Sequence, residues 1–276
     1  MQITFYGVRG STPCAGESTR RYGGNTACVV ISSDGADPIL LDLGTGLRYF
    51  GESQPPERPL RAHALVTHLH WDHVQGLPFC RPLLCAGASL TVHGPAHDGV
   101  GFDEGFDALM RPPFFPVTRA QLPGDIVLHT MRPGVHEVAG AKVTAMEVPH
   151  TDTTLGYRIE RDGWSVAYVS DHQQPADGRS VAPAVLDLCE GVDVLIHDAQ
   201  YTPDEFALKS DWGHCTVEYA VHVASVAGVG RLVLFHHDPS HDDDTLDRLL
   251  DEARGLPVAD GVEIISAHEG LVVSLS

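Results

Sequence analysis

The motif T-H-L-H-W-D-H at 67–73 constrains what this chain can fold into more than any other feature, and it directly follows an apolar run at 62–66. Three imidazoles and one carboxylate within six residues are unfavourable to bury without a partner. On a loop that leaves a strand, this spacing can direct His68 and His70 to one point while Asp72 and His73 turn toward another. Imidazole and carboxylate groups are ligands for zinc, iron and similar cations, so the motif predicts a metal site. The alternative is a solvated, His-rich loop.

Apolar runs and helical patterns alternate along the whole chain. The helical patterns lie at 74–84, 181–189, 216–227 and 244–253. The predicted strands are 3–6, 26–32, 38–43, 62–67, 89–93, 142–148, 154–160, 164–170, 192–197, 231–235, 264–266 and 271–274. Sets of strands with helices between them and at the ends predict two sheets packed face to face and covered by helices. Residues 1–276 are predicted to form one domain.

The segment 94–133 differs from its surroundings because it is rich in Gly and Pro and weakly periodic. We expect an irregular loop insertion here, since long excursions in a compact domain are usually functional loops. Phe114 and Phe115 would then wall a pocket or stack a base, with plain packing of the loop on its own aromatics as the alternative.

Charge narrows the possible partners. The chain has 37 Asp and Glu against 18 Lys and Arg, a formal net charge of −19, so binding along extended nucleic acid through a basic face is disfavoured. The first ten residues lack the pattern of a signal peptide, and no window approaches 18 uninterrupted apolar residues. Six scattered Cys indicate reduced thiols rather than a disulfide framework. We therefore expect a cytoplasmic protein with no membrane contact.

The motif at 67–73 resembles the signature of the metallo-β-lactamase-fold hydrolases, and later motifs follow in that family's order: His150 in M-E-V-P-H, Asp171 in V-A-Y-V-S-D and His236 in L-V-L-F-H. The resemblance implies an αββα sandwich with two divalent ions, zinc first and Mn²⁺ or Fe²⁺ as alternatives. It implies that one ion is held by His68, His70 and His150, and the other by Asp72, His73 and His236, with Asp171 bridging them. Asp72 thereby counts as both ligand and catalytic residue.

Three neighbouring positions are less certain in their role. Asp42, in I-L-L-D-L-G, either orients a ligand His, as in the family, or caps the turn at Gly44. Strand alternation allows only one of His236 and His237 to face the metals, and we choose His236. His172 is expected to be a neighbour of the site rather than a ligand.

A second cluster combines H-D-A-Q-Y at 197–201 with W-G-H-C-T at 212–216. These segments resemble the H-E-A-T and H-S-T motifs of the tRNA 3′-processing endonucleases and related cyclic phosphodiesterases, with Asp198 in place of Glu. His214, beside a helix start, would contact a substrate phosphate or protonate the leaving oxygen, with Asp198 orienting it. The alternative gives both residues structural roles only.

The number of residues between the His150 motif and the Asp171 motif distinguishes the branches of this family. Only 20 residues lie between His150 and Asp171, enough for two strands and a Gly turn, whereas the tRNA-processing enzymes carry a long arm there. We therefore expect a phosphodiesterase acting on a small or cyclic nucleotide-like phosphodiester, with a homodimer possible. Thioester or lactone hydrolysis of the glyoxalase II or lactonase type is the alternative. A tRNA 3′-processing endonuclease and a non-catalytic metal sensor rank below both.

The N-terminal turns offer a last candidate. The segments G-V-R-G-S-T-P at 7–13 and Y-G-G-N-T at 22–26 also resemble the small-molecule phosphodiesterases. Arg9 and these turns either line the pocket or serve only as tight turns between the first strands.

Overall fold

Two seven-stranded sheets form the centre of the computed structural model, which describes residues 1–55, 58–259 and 261–275. The strands of the first sheet are β1 (Gln2–Gly7), β2 (Cys28–Ser32), β3 (Ile39–Leu41), β4 (Arg61–Leu65), β5 (Ser89–Gly94), β6 (Asp125–Thr130) and β14 (Val272–Ser274). The strands of the second are β7 (Gly134–Val138), β8 (Ala141–Val148), β9 (Thr154–Arg161), β10 (Trp164–Val169), β11 (Val194–Asp198), β12 (Arg231–Phe235) and β13 (Glu263–Ser266).

Each sheet is half antiparallel and half parallel. The strand orders are β14-β1-β2-β3-β4-β5-β6 and β13-β12-β11-β10-β9-β8-β7. The first sheet is antiparallel as far as the β2–β3 pair and parallel from β3 to β6. The second is antiparallel from β7 to β10 and parallel from β10 to β13. Strands β8, β10 and β12 therefore run in the same direction and end at the same rim.

Helices cover the outer face of both sheets. They are α1 (Leu47–Ser53), α2 (Trp71–Val74), α3 (Phe102–Leu109), α4 (Pro183–Cys189), α5 (Pro203–Leu208), α6 (Val217–Ala227) and α7 (Asp243–Arg254). One apolar core fills the space between the sheets, a second lies beneath α4, α6 and α7, and a third lies beneath α1 and α3. The predicted αββα sandwich is thus confirmed. No helix in the described ranges is both long and apolar enough to cross a membrane.

The predicted helix at 74–84 is wrong. Helix α2 ends at Val74, and two 3₁₀ turns follow at Leu77–Phe79 and Arg81–Leu84. Pro78 and Pro82 lack the N–H that an α-helix needs. Gly76 packs so closely against the backbone of Gly44 that a side chain there would overlap it.

The segment 94–133 is more regular than predicted. Helix α3 lies within it, and β6 joins the edge of the first sheet beside β5. Strand β7, directly after the segment, begins the second sheet and was also not predicted. The rest of the segment is turns and one short 3₁₀ helix, Arg119–Gln121.

Candidate metal centre

The seven predicted ligands converge at one rim of the sandwich, each in a segment that follows a strand. The motif at 67–73 follows β4, His150 follows β8, Asp171 follows β10 and His236 follows β12. Their nitrogen and oxygen atoms form overlapping sets within 4.8 Å: His68 with His70 and His150, His68 with His73 and Asp171, and Asp72 with His73 and His236. The structure therefore brings together every residue of the two predicted ligand sets.

The first set consists of imidazoles. Nδ1 of His70 lies 3.4 Å from Nε2 of His150. Nε2 of His68 and Nε2 of His150 each lie 3.9 Å from Oδ2 of Asp171. Three ring nitrogens and one carboxylate oxygen thus face a common point, which is a zinc-type donor set.

The second set mixes imidazole and carboxylate. Nε2 of His73 lies 3.2 Å from Oδ2 of Asp72 and 3.2 Å from Oδ1 of Asp171. Nε2 of His236 lies 3.2 Å from the same oxygen of Asp72 and 3.5 Å from Oδ1 of Asp171. Asp171 therefore directs one carboxylate oxygen to each set, which is the geometry that a bridging ligand requires.

Two observations indicate that cations fit here. The buried Nε2 atoms of His68 and His73 have no hydrogen-bond partner among the described residues, although buried polar atoms normally do. Burial opposes a charge on His73, but Asp171, Asp72 and Asp42 surround it and raise its pKa well above the usual value. The site thus favours positive charge at this point, and imidazole and carboxylate donors suit divalent transition metals.

A buried hydrogen-bond network orients the ligands of the 67–73 loop. Nδ1 of His73 donates to Oδ2 of Asp42 at 2.8 Å, so its Nε2 faces the cluster. Nδ1 of His68 lies 3.0 Å from the hydroxyl of Thr67, which in turn donates to Asp42. The backbone N–H of Thr67 and the hydroxyl of Tyr168 also donate to Asp42, each at 2.8 Å. Asp42 was expected either to orient a ligand His or to cap the turn at Gly44. The structure shows the first role, because Asp42 orients His73.

Two glutamines that the sequence analysis did not single out help to orient two of the other imidazoles, those of His236 and His150. Nδ1 of His236 donates to Oε1 of Gln200 at 2.8 Å. Nδ1 of His150 donates to the carbonyl of Gly213 at 2.7 Å, and the N–H of Gly213 donates to Oε1 of Gln173 at 2.8 Å. Gln173 follows Asp171 by two residues and Gln200 lies in the H-D-A-Q segment, so their positions in the motifs were the available signal.

The N-terminal turn closes one side of the site. The backbone N–H of Ser11 donates to Oδ2 of Asp72 at 2.7 Å, and a side chain on Gly10 would overlap His236. Arg9 is fully buried and donates to the carbonyls of Gly23, Asp238 and His241. Arg9 therefore has the structural role of holding the turn in place, whereas residues 10–11 contact two of the candidate ligands.

His214 and Asp198 form a pair next to Asp171. Nδ1 of His214 lies 2.9 Å from Oδ2 of Asp198 and 3.8 Å from Oδ2 of Asp171. One ring nitrogen of His214, one carboxylate oxygen of Asp171 and one ring nitrogen of His236 lie within 4.8 Å of one another. Burial lowers the pKa of His214, and burial raises the pKa of Asp198 well above its usual value. The second predicted cluster therefore reaches the centre.

The neighbours of two candidate ligands point elsewhere. Nε2 of His237 lies 3.0 Å from the carbonyl of Ala267, away from the centre, while His236 faces it. Nδ1 of His172 lies 3.0 Å from Nε2 of His197.

The backbone at His236 has a φ of 57°, a left-handed conformation that is uncommon outside glycine and concentrated at functional sites.

Comparisons with known proteins agree with this architecture. A family model described as a beta-lactamase superfamily domain matches residues 38–237. Ribonuclease Z of Haloarcula marismortui is 26% identical over 324 aligned positions, covering 98% of this chain and 96% of that protein. The metallo-β-lactamase fold protein YhfI of Bacillus subtilis superposes with a TM-score of 0.74 at 22% identity, covering 99% of this chain and 98% of YhfI. A diphosphatase of the PhnP family gives a TM-score of 0.71 at 20% identity, covering 100% of this chain and 98% of that one.

Proposed function

This chain belongs to the beta-lactamase superfamily of hydrolases, and from that membership and the site we propose that it is a metal-dependent phosphodiesterase acting on a small phosphodiester. The observation that carries the proposal is the His214–Asp198 pair, which lies 3.8 Å from the bridging Asp171 through Nδ1 of His214. An alkoxide leaving group needs a proton, whereas a thiolate departs readily without one. A histidine placed here therefore favours phosphodiesters over thioesters.

The candidate ligand sets would hold two divalent cations, with zinc proposed from the donor chemistry. When bound, such a pair lowers the pKa of a shared water and stabilises the negative charge that develops on a phosphoryl group. Asp72, Asp171 and five imidazoles supply only two formal negative charges, so the proposed site retains positive charge for an anionic substrate. This attraction is local and operates despite the acidic surface of the chain.

His214 and Asp198 would supply the proton in this proposal. Because Nδ1 of His214 is held by Asp198, Nε2 is the ring atom that remains to contact the leaving oxygen. Asp198 is itself fixed by the N–H groups of His172 and Gln200, at 3.0 Å each. The pair would thus act as a rigid general acid, with Asp198 positioning the ring.

A second candidate is RNA 3′ processing, which the similarity to ribonuclease Z favours. Two features favour the small substrate instead. The chain between His150 and Asp171 forms only the hairpin of β9 and β10, and the net charge is −19. A polyanionic substrate normally requires a positive surface along its backbone.

The test is a substrate panel with zinc-loaded protein: bis(p-nitrophenyl) phosphate, 2′,3′- and 3′,5′-cyclic nucleotides, a glutathione thioester, a homoserine lactone and a tRNA precursor with a 3′ extension. We expect hydrolysis of the small diesters. Hydrolysis of the thioester or lactone alone, or of the precursor alone, would contradict the proposal. So would no turnover with two metal equivalents bound.

His214→Ala tests the role of the pair. We expect a loss of about 10²- to 10⁴-fold on a cyclic nucleotide, whose leaving group is an alkoxide. The loss on a p-nitrophenyl ester should be much smaller, since that leaving group needs no proton. His222→Ala, on the partly exposed side of α6, is the matched control and should match the parent rates. Equal losses on both substrates would exclude a proton donor at this position.

A further inference from the structure

An apolar pocket of about 520 Å³ lies beside the candidate metal centre. Its walls come from α2, the 3₁₀ turn after it, α3 and the loop after α3, and every lining residue except Gln75 is apolar. Trp71, Phe79 and Phe114 line it and are exposed to 67%, 60% and 75%. Clustered aromatic side chains left in water mark binding sites, and this volume is typical of small-molecule pockets.

The pocket adjoins the segment that carries four of the candidate ligands. Trp71, which lines the pocket, stands in the chain between His70 and Asp72, which belong to different candidate ligand sets. Leu109, at the end of α3, lines this pocket and also a second cavity of about 250 Å³. The walls of that second cavity include His68 and His70. Leu109 and Trp71 thus connect the pocket with the surroundings of the candidate metal centre.

We infer that this pocket binds an uncharged aromatic group of nucleobase size, carried on the substrate phosphodiester. The inference rests on the proposed function and defines its substrate class. Flat rings stack favourably on Trp and Phe, and the apolar walls exclude charged substituents. The amide of Gln75 offers a donor and an acceptor to a ring edge, as glutamine does for adenine.

The first experiment compares p-nitrophenyl phenyl phosphate with p-nitrophenyl methyl phosphate, which share one leaving group. The parent should prefer the phenyl ester in kcat/KM. Phe114→Ala should reduce that preference about 5- to 100-fold, through KM, because stacking on an aromatic side chain is lost. Val135→Ala, an exposed apolar side chain on β7, is the control and should keep the parental preference. An unchanged preference in Phe114→Ala would overturn the inference while leaving the proposed function intact.

A second experiment needs no turnover. In chelator-treated protein, adenosine should quench the fluorescence of Trp71, ribose should not, and Trp71→Phe should remove the effect. This result would support the pocket even if no phosphodiester were hydrolysed. Sedimentation gives the opposing outcome: a dimer that Phe114→Ala dissociates and that adenosine leaves unchanged would assign the aromatic cluster to a subunit interface and refute the inference.

Discussion

Replacement of Asp42 by Asn tests whether this buried carboxylate controls metal affinity through His73. Asp42 is fully buried and accepts hydrogen bonds from His73, Tyr168 and both the N–H and hydroxyl of Thr67. Oδ2 faces His73 and Tyr168, while Oδ1 faces the N–H of Thr67. Asn keeps the shape but turns one of these oxygens into an NH₂ group, so donors on that side lose their acceptor.

The expected magnitude follows from these contacts. A hydrogen bond to a charged group contributes about 1.5–3 kcal/mol, so we expect the free energy of unfolding of metal-free Asp42→Asn to fall by about 2–4 kcal/mol. Loss of a carboxylate that orients a metal-binding imidazole typically weakens metal affinity about 10- to 100-fold. This corresponds to about 1.4–2.7 kcal/mol, and the additional stability conferred by bound metal should fall by the same amount.

Two measurements separate these effects. Competition with a fluorescent zinc chelator gives the affinity, and urea denaturation in EDTA gives the stability of the metal-free chain. Tyr168→Phe is the matched control because it removes one donor to Asp42 and leaves the contact with His73. It should lower the free energy of unfolding by about 1.5–3 kcal/mol and change zinc affinity by less than about threefold. Parental zinc affinity in Asp42→Asn, or an equal loss in Tyr168→Phe, would refute the reasoning.

Two further predictions concern other parts of the chain. Gly10→Ala should weaken the binding of one of the two metal equivalents, because the added Cβ would overlap His236. The control is Gly16→Ala, whose added Cβ has no contact closer than 3.9 Å, and this variant should bind both equivalents. Elemental analysis at fixed free zinc measures the metal content, and equal contents in the two variants would contradict the prediction. Burial, together with the nearby His129 and His63, lowers the pKa of His93 from 6.5 to about 4. Between these two pH values the imidazole is protonated in the unfolded chain and neutral in the folded chain. The free energy of unfolding should therefore fall as pH drops from 6.5 to about 4, and His93→Asn should make this decline shallower in urea titrations with chelator; parallel curves would show that His93 is not responsible.

The positions of the candidate ligands were predictable because they carry local signals. An apolar run ends in His or Asp at His68, His150, Asp171 and His236, and the parallel strands bring those ends to one rim. Strand alternation allowed only one of His236 and His237 to face the centre, and the structure places His236, the residue chosen, toward it.

The residues that orient the ligands were harder to predict. Gln173 and Gln200 act through single hydrogen bonds from groups that are distant in sequence, and an amide side chain has no pattern of its own. Only the tertiary structure determines which glutamine meets which donor.

Secondary structure was missed where local signals were weak or unused. Helix α1 begins at Leu47 and is preceded by Gly46, which has no side chain to cap it, and α3 contains Gly105, which lowers helix propensity. Helix α5 did carry a readable signal, since Thr202 and Glu205 form a capping box, but its six residues were too short to show periodicity.

The division of the donors between the two sheets has a mechanical consequence. Four of them leave the first sheet after β4, and the other three leave the second after β8, β10 and β12. Cations held by both groups would act as a cross-link between the layers, in parallel with the Tyr168–Asp42 bond that already joins them. Chelation would then weaken the contact between the two sheets at this rim first. Protease cleavage in the loops of this rim would therefore report the loss of metal before the apolar cores unfold.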